Sequence, residues 1–233
     1  MSEAEQNRAP AEPRAGAVLA VDVGGSHVKL LLNGASERRR FDSGDALTPD
    51  QTVAGVLDST GDWEYDRISV GVPAVVRDGR VVREPVNLGT GWVGFDFEAA
   101  FGKPTKVVND AAMQAFGAYE GGRMLFLGLG TGLGAAMIVD RMIQPMELAH
   151  LPFRKGTFED YVGESGRKRL GRKRWQKAVH ETIEALAAAL EPDYVVLGGG
   201  NARRLDELPP NVRLGANEDA FLGGFRLWLD ERA

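Results

Sequence analysis

The sequence of 233 residues contains no cysteine. Disulfides, thiolate metal centres and cysteine nucleophiles are therefore excluded. No apolar run is long enough to cross a bilayer. No Gly-x-x-x-x-Gly-Lys-[Ser/Thr] segment occurs, which argues against a P-loop kinase. Positive charge is not in excess: the net charge is −5 at pH 7, so there is no global attraction to nucleic acid or an anionic membrane. No close internal repeat is visible. What remains is an ordinary globular composition, 43% hydrophobic and 26% charged, in a chain able to bury a core as one large domain or two lobes. Residues 1–16 mix Glu, Pro, Ala and Arg without an apolar centre. They read as a disordered tail rather than a signal peptide, which makes a cytoplasmic protein the expectation.

Two glycine-bearing turns stand out. Asp22-Val23-Gly24-Gly25-Ser26 follows the apolar run Ala17–Val21 and leads into Val28–Leu32. Gly128-Leu129-Gly130-Thr131-Gly132-Leu133-Gly134 follows Met124–Leu127 and leads into Ala135–Val139. Both read as strand–turn–strand units. Glycine permits positive φ and lets amides converge on a phosphate. A carboxylate such as Asp22 can hold a hydrated Mg²⁺ beside the phosphate oxygens. The competing reading is a plain structural hairpin. Gly130–Ala135 fits a loose dinucleotide pattern, but the residues after it read as a strand and not the helix that pattern requires.

Elsewhere, Thr48-Pro49-Asp50 starts a helix carrying Val53, Val56 and Leu57. Ile68–Val72 is a strand, and Val75–Val82 a hairpin centred on Asp78-Gly79. A strand over Thr105–Val108 delivers Asn109-Asp110 into a helix, Ala111–Tyr119. A long amphipathic helix over Lys173–Leu190 precedes a strand, Tyr194–Leu197, that ends in Gly198-Gly199-Gly200. Asn217–Leu229 reads as a closing helix. The pattern suggests two related α/β lobes around a cleft: a tail 1–16, a smaller lobe 17–110 to which a C-terminal helix at 217–231 returns, and a larger lobe 111–216. The hinge falls near Asn109–Gly121.

Asn109-Asp110 sits where a strand meets a helix, a common ligand position in open α/β sheets. Both residues are also favoured helix caps. In the functional reading Asp110 accepts a proton from a substrate hydroxyl and Asn109 fixes another hydroxyl. Glu147 and His150, followed by Glu159-Asp160, fit a surface turn or a set of sugar-hydroxyl partners. A metal site is the weaker reading, because a third ligand is missing.

In this order, the Asp22 turn, Asn109-Asp110, the Gly128 turn, Glu147-Leu-Ala-His150 and Gly198-Gly-Gly resemble the ROK family of sugar kinases over about Val18–Leu229. Within it the chain is most similar to the bacterial polyphosphate glucokinases, sharing also Asn87–Asp96 (Asn-Leu-Gly-Thr-Gly-Trp-Val-Gly-Phe-Asp). The resemblance implies an actin-like ATPase (ribonuclease H-like) fold and phosphoryl transfer to the 6-hydroxyl of a hexose, most readily glucose, from ATP or inorganic polyphosphate. It implies Asp110 as general base, with Asn87, Asn109, Glu147, His150 and Glu159 on the sugar. Asp22, Gly24, Gly25, Ser26, Lys29, Gly130, Thr131, Gly132 and Gly198–Gly200 would face phosphate or nucleotide. Mg²⁺ would sit on Asp22 through water, and no zinc is expected because the family's zinc cysteines are missing. A homodimer with neither membrane nor nucleic-acid partner completes the expectation.

Two departures matter. The family's Pro-Gly is Pro73-Ala74 here, and its Glu-x-Gly-His is Glu147-Leu-Ala149-His150. These added methyls keep open an alternative, a catalytically impaired sugar-binding regulator. A repressor is disfavoured, because the segment before Val18 is too short for a helix-turn-helix. The basic run from Arg167 to Lys177 reads as a solvated helix face or, alternatively, as a guide strip for polyphosphate, with Trp175 a packing residue.

Overall fold

The computed structural model describes residues 16–216 and 218–229. Of the expected tail only Gly16 is among them, and positions 217, 230 and 231 of the expected closing helix lie outside them.

The first half contains β1 (Val18–Val23), β2 (His27–Leu32), β3 (Arg38–Asp42), α1 (Pro49–Ser59), β4 (Arg67–Val72), β5 (Val76–Arg77), β6 (Arg80–Val81), α2 (Phe97–Phe101) and β7 (Thr105–Asn109). Its sheet runs β3-β2-β1-β4-β7. β1, β2 and β3 pair antiparallel, whereas β1, β4 and β7 pair parallel. The second half contains α3 (Asp110–Ala118), β8 (Arg123–Leu129), β9 (Leu133–Val139), β10 (Met142–Met146), β11 (Pro152–Phe153), β12 (Gly156–Thr157), α4 (Phe158–Val162), α5 (Glu164–Leu170), α6 (Arg172–Leu190), β13 (Tyr194–Gly198), β14 (Val212–Leu214) and α7 (Asp219–Arg226). Its sheet runs β10-β9-β8-β13-β14, with the same sequence of antiparallel and parallel pairings. One strand plan is thus used twice.

Local signals behave as their chemistry requires. Thr48 and Gln51 form a reciprocal capping box at the start of α1, with Pro49 in the first turn. Asp78 and Gly79 both take positive φ, 50° and 71°, the geometry of the tight hairpin turn. The closing helix is shorter than expected. It spans Asp219–Arg226, and Leu227–Leu229 continue only as turns.

Strand alternation sorts side chains between two faces. Leu19, Val21, Val23, Val28 and Leu30 pack with Val53, Val56 and Phe97 on the outer face of the first sheet. Ala20 and Leu31 face the other way, onto Phe221 of α7. On the second sheet, Leu125, Leu127 and Val195 pack outward on Trp175, Val179 and Ile183 of α6. Phe126, Ile138 and Val196 pack inward on Ala112, Ala115 and Phe116 of α3. Helices α3 and α7 therefore lie on the inner faces, where the two sheets approach. The Ser69 hydroxyl donates to the Gly224 carbonyl at 2.6 Å and accepts from Trp228 Nε1 at 2.9 Å. Those bonds fasten α7 to β4.

Candidate active site

The centre of the site is the junction of β7 and α3. Asn109 has extended backbone and caps α3: its Oδ1 accepts from the Ala112 amide at 3.1 Å. Its Nδ2 donates to the Ala74 carbonyl at 3.1 Å. The capping reading of Asn109 is thus realised, and both ends of its amide are held. Asp110 Oδ1 accepts from the Ala111 amide at 2.8 Å. The two neighbours face different cavities. Asn109 lines one of about 270 Å³, whereas Asp110 lines one of about 740 Å³.

Asp22, Lys29 and Gly198–Gly200 line the larger cavity together with Asp110. Alternation in β1 and β2 turns Asp22 and Lys29 inward, and Lys29 Nζ lies 3.0 Å from Asp22 Oδ2. Burial pushes the Asp110 carboxyl up to about 6, and the negative charge of Asp22 adds to the rise. A carboxylate titrating just below neutrality is suited to general-base work. Sequence reasoning missed Arg38, Arg40, Gln114 and Arg203, which also line this cavity. Only the strand register of β3 could have revealed the first two.

The two turns differ from expectation: Gly24, Gly25, Ser26, Gly130, Thr131 and Gly132 line neither cavity, and the expected positive φ does not occur. None of Gly24, Gly25, Gly128, Gly130, Gly132 or Gly134 has positive φ, although Gly199 does, at 80°. In the second turn, Gly132 and Gly134 serve close approach. A Cβ on Gly132 would lie 2.0 Å from Glu159 Oε2, and one on Gly134 would lie 2.8 Å from the Ala111 methyl. Two amides are also spent inside the turns: Gly24 N–H donates to the His27 carbonyl and Gly130 N–H to the Gly132 carbonyl. Gly25, Ser26 and Thr131 are exposed.

The second turn is buttressed from behind. Glu159 Oε2 accepts from the Leu133 amide at 3.1 Å. Asn201, itself buried, donates to the Gly130 carbonyl at 3.1 Å and to Glu164 Oε2 at 3.0 Å. Glu164 N–H donates to the Thr131 carbonyl. Asn201 and Glu164 carried no sequence signal. Glu159, expected on the sugar, lines neither cavity and holds this turn. The Leu133 amide it holds belongs to the wall of the smaller cavity, so Glu159→Ala should raise the KM for the sugar at least as much as that for the phosphoryl donor; initial-rate kinetics varying each substrate check this.

The smaller cavity joins Asn109 to Glu147, Arg77 and the Leu133–Ala135 backbone. It is slightly below the roughly 300–1,000 Å³ usual for ligand pockets, a size suited to a single sugar ring. His150 is exposed and, like Asn87, lines neither cavity. Asn87 Cβ instead lies against Gly25, 3.8 Å from where a Cβ would stand. Ala74 and Ala149 are buried in the two outer cores and line neither cavity.

The basic run is not one helix face. Gly171, with φ 71°, breaks it between α5 and α6. Arg167 and Lys168 pair with Glu164, Arg172 with Asp206 and Lys177 with Glu181. No residue of the run lines either cavity. Trp175 is fully buried and donates to the Val162 carbonyl at 2.8 Å, as a packing residue would.

Two sheets of one plan with helices α3 and α7 on their inner faces give the two-lobed actin-like fold. Inorganic polyphosphate/ATP-glucomannokinase from Arthrobacter sp. strain KM superposes with a TM-score of 0.78 at 24% identity, covering 91% of this chain and 98% of that one. A ROK family glucokinase from Streptomyces griseus, in complex with glucose and AMPPNP, gives 0.71 at 15% identity over 91% and 99%. In sequence the chain is similar to polyphosphate glucokinase of Mycobacterium tuberculosis: 28% identical over 214 residues, 82% of this chain and 80% of that protein. No protein-family model matches the chain.

Proposed function

We propose that this protein is a hexose kinase that transfers the terminal phosphoryl group of inorganic polyphosphate or ATP to the 6-hydroxyl of a hexose, glucose foremost. The observation that carries the reading is the placement of two consecutive residues: Asn109 faces a sugar-sized cavity and Asp110 the larger, cation-lined one. The similarity to polyphosphate glucokinases supports the substrate pair.

Asn109 and Glu147 hold sugar hydroxyls in the smaller cavity. The Asp110 carboxylate takes the proton of the attacking hydroxyl as its oxygen bonds to the terminal phosphorus. The bond from that phosphorus to its bridging oxygen breaks, and the shortened donor leaves with the electron pair. Phosphoryl transfer depends on positioning and charge neutralisation more than on a strong base. Lys29, which lines the larger cavity, supplies part of that neutralisation.

Asp22 and Asp110 face one cavity and repel each other. Among the described residues no cluster of three or more potential ligands exists. That donor set suits Mg²⁺, which keeps waters and phosphate oxygens in its shell and takes one or two carboxylates. Asp22 would hold it, and when bound it supplies positive charge to the transferring phosphate. Asp22→Asn should weaken the Mg²⁺ dependence of turnover, seen as a raised Mg²⁺ concentration at half-maximal rate.

The direct test is hexose phosphate formation by the purified protein with Mg²⁺, comparing ATP, GTP and polyphosphate across several hexoses in a coupled assay. Product with glucose and at least one of these donors is expected. Failure with every pair would overturn the reading and favour a non-catalytic sugar-binding regulator.

A further inference from the structure

The wall of the larger cavity formed by the first sheet carries a row of side chains that starts at the reaction centre and runs beyond it. Asp22, Lys29 and Arg40 stand directly opposite one another on β1, β2 and β3. Opposed residues share a face, so all three point into the cavity they line. Adjacent strands lie about 4.8 Å apart, so the row extends roughly 10 Å from the catalytic end to the sheet edge. β3 is that edge. The row therefore leaves the cavity at an open margin of the molecule.

The cations along it differ in commitment. Arg39 also borders the cavity, but its guanidinium is committed on the other face, paired with Asp62 and stacked over Trp63 at 4.2 Å. Arg38 is paired with Glu218 and lies over the Phe221 ring. Lys29 is half-exposed and shared with Asp22. Arg40 is exposed and makes no ion pair among the described residues. An arginine held on a strand at the end of a cationic row, with its guanidinium uncommitted, is a site for a further phosphate.

The opposite wall is different. Gly198–Gly200, Leu214, Ala216 and Phe221 give it glycine backbone and apolar surface, with Arg203 as its single cation among the lining residues, a surface suited to a nucleoside more than to a row of phosphates. A nucleotide and a phosphate polymer would thus share only their reacting end.

We infer that Lys29 and Arg40 form a polyanion track, along which a long polyphosphate leaves the reaction centre across β2 and β3, and that Arg40 is a specificity-determining residue favouring polymer over nucleotide. The inference rests on the kinase reading for the reacting end. It moves the guide strip from the 167–177 run to the edge of the first sheet.

The test combines direct binding of long-chain polyphosphate, by isothermal titration, with initial-rate kinetics. Arg40→Glu is compared with wild type and with Lys173→Glu, which reverses an exposed charge in the basic run away from both cavities. For Arg40→Glu, the Kd and KM for long polyphosphate should rise about five- to tenfold and become less sensitive to salt. KM values for ATP, tripolyphosphate and hexose should stay within about twofold. Lys173→Glu should match wild type. An equal rise for ATP, no change for long polyphosphate, or a loss confined to Lys173→Glu would overturn the track. Because binding is read separately from turnover, a wild-type protein that binds polyphosphate through Arg40 but forms no product would keep the track and refute the kinase reading. A wild type that binds no polyphosphate would refute the track.

Discussion

Replacing Asp110 with asparagine is expected to lower kcat by about 10²- to 10⁴-fold, the usual worth of a positioned general base, while making the folded protein more stable. The two effects have one cause. The folded-state pKa of Asp110 is raised to about 6 from 3.8, by burial first and by Asp22 second. Between those values the folded chain holds a proton that the unfolded chain has released. Stability therefore falls as pH rises through that window, and the full penalty is present at neutral pH. Asparagine removes the charge but keeps an oxygen for the Ala111 amide. At pH 7.5 the gain should be on the order of 1–2 kcal/mol, allowing for solvent at the cavity mouth. It should vanish near pH 4. Melting curves of both proteins at the two pH values check this, alongside steady-state rates. A variant that lost activity through misfolding would melt lower and not higher.

The largest stability loss is expected where α3 crosses α7. A Cβ on Gly117 would stand 1.8 Å from the Asp219 carbonyl oxygen, and one on Gly223 would stand 1.7 Å from that of Met113. In each case the obstacle is backbone, which cannot swing aside as a side chain can. Gly223→Ala must push the two helices apart, at a cost of roughly 2–4 kcal/mol. For a chain of this length the melting temperature should fall by roughly 5–12 °C. Because Asp110 opens α3, the displacement should also reduce kcat more than either KM. Leu222→Ala, on the exposed side of α7, provides the contrast and should leave both nearly unchanged.

Much of the site could be read in the chain because each catalytic group follows a strong local signal. The apolar runs flanking both glycine turns specify β1–β2 and β8–β9, and Asn109-Asp110 marks the strand-to-helix junction. The conformations of those turns could not be read the same way. At Gly132 and Gly134 glycine answers to the crowding of Glu159 and Ala111, which are distant in sequence, and not to a positive φ. Arg38 and Arg40 carry no local signal, since their place at the cavity follows only from the pairing of β3 with β2. The repeated strand plan was inferred without a visible repeat, since pairing geometry constrains the backbone while leaving side-chain identity free. The closing helix is shorter than its apolar pattern because Leu227 is buried against α3 and so continues that pattern beyond the last helical residue, Arg226.

At the centre of this account, Asp110, between two cavities, accepts the proton of a hexose hydroxyl. The pH dependence of kcat/KM for the hexose, at saturating donor and Mg²⁺, tests it most directly. Wild type should show one acid limb with its midpoint at or somewhat below pH 6, since a cation on Asp22 cancels the smaller cause of the raised pKa, and a plateau above it. Asp110→Asn should lose the limb along with the activity. A wild-type profile flat from pH 4.5 to 8, or a limb that persists unchanged in Asp110→Asn, would contradict it.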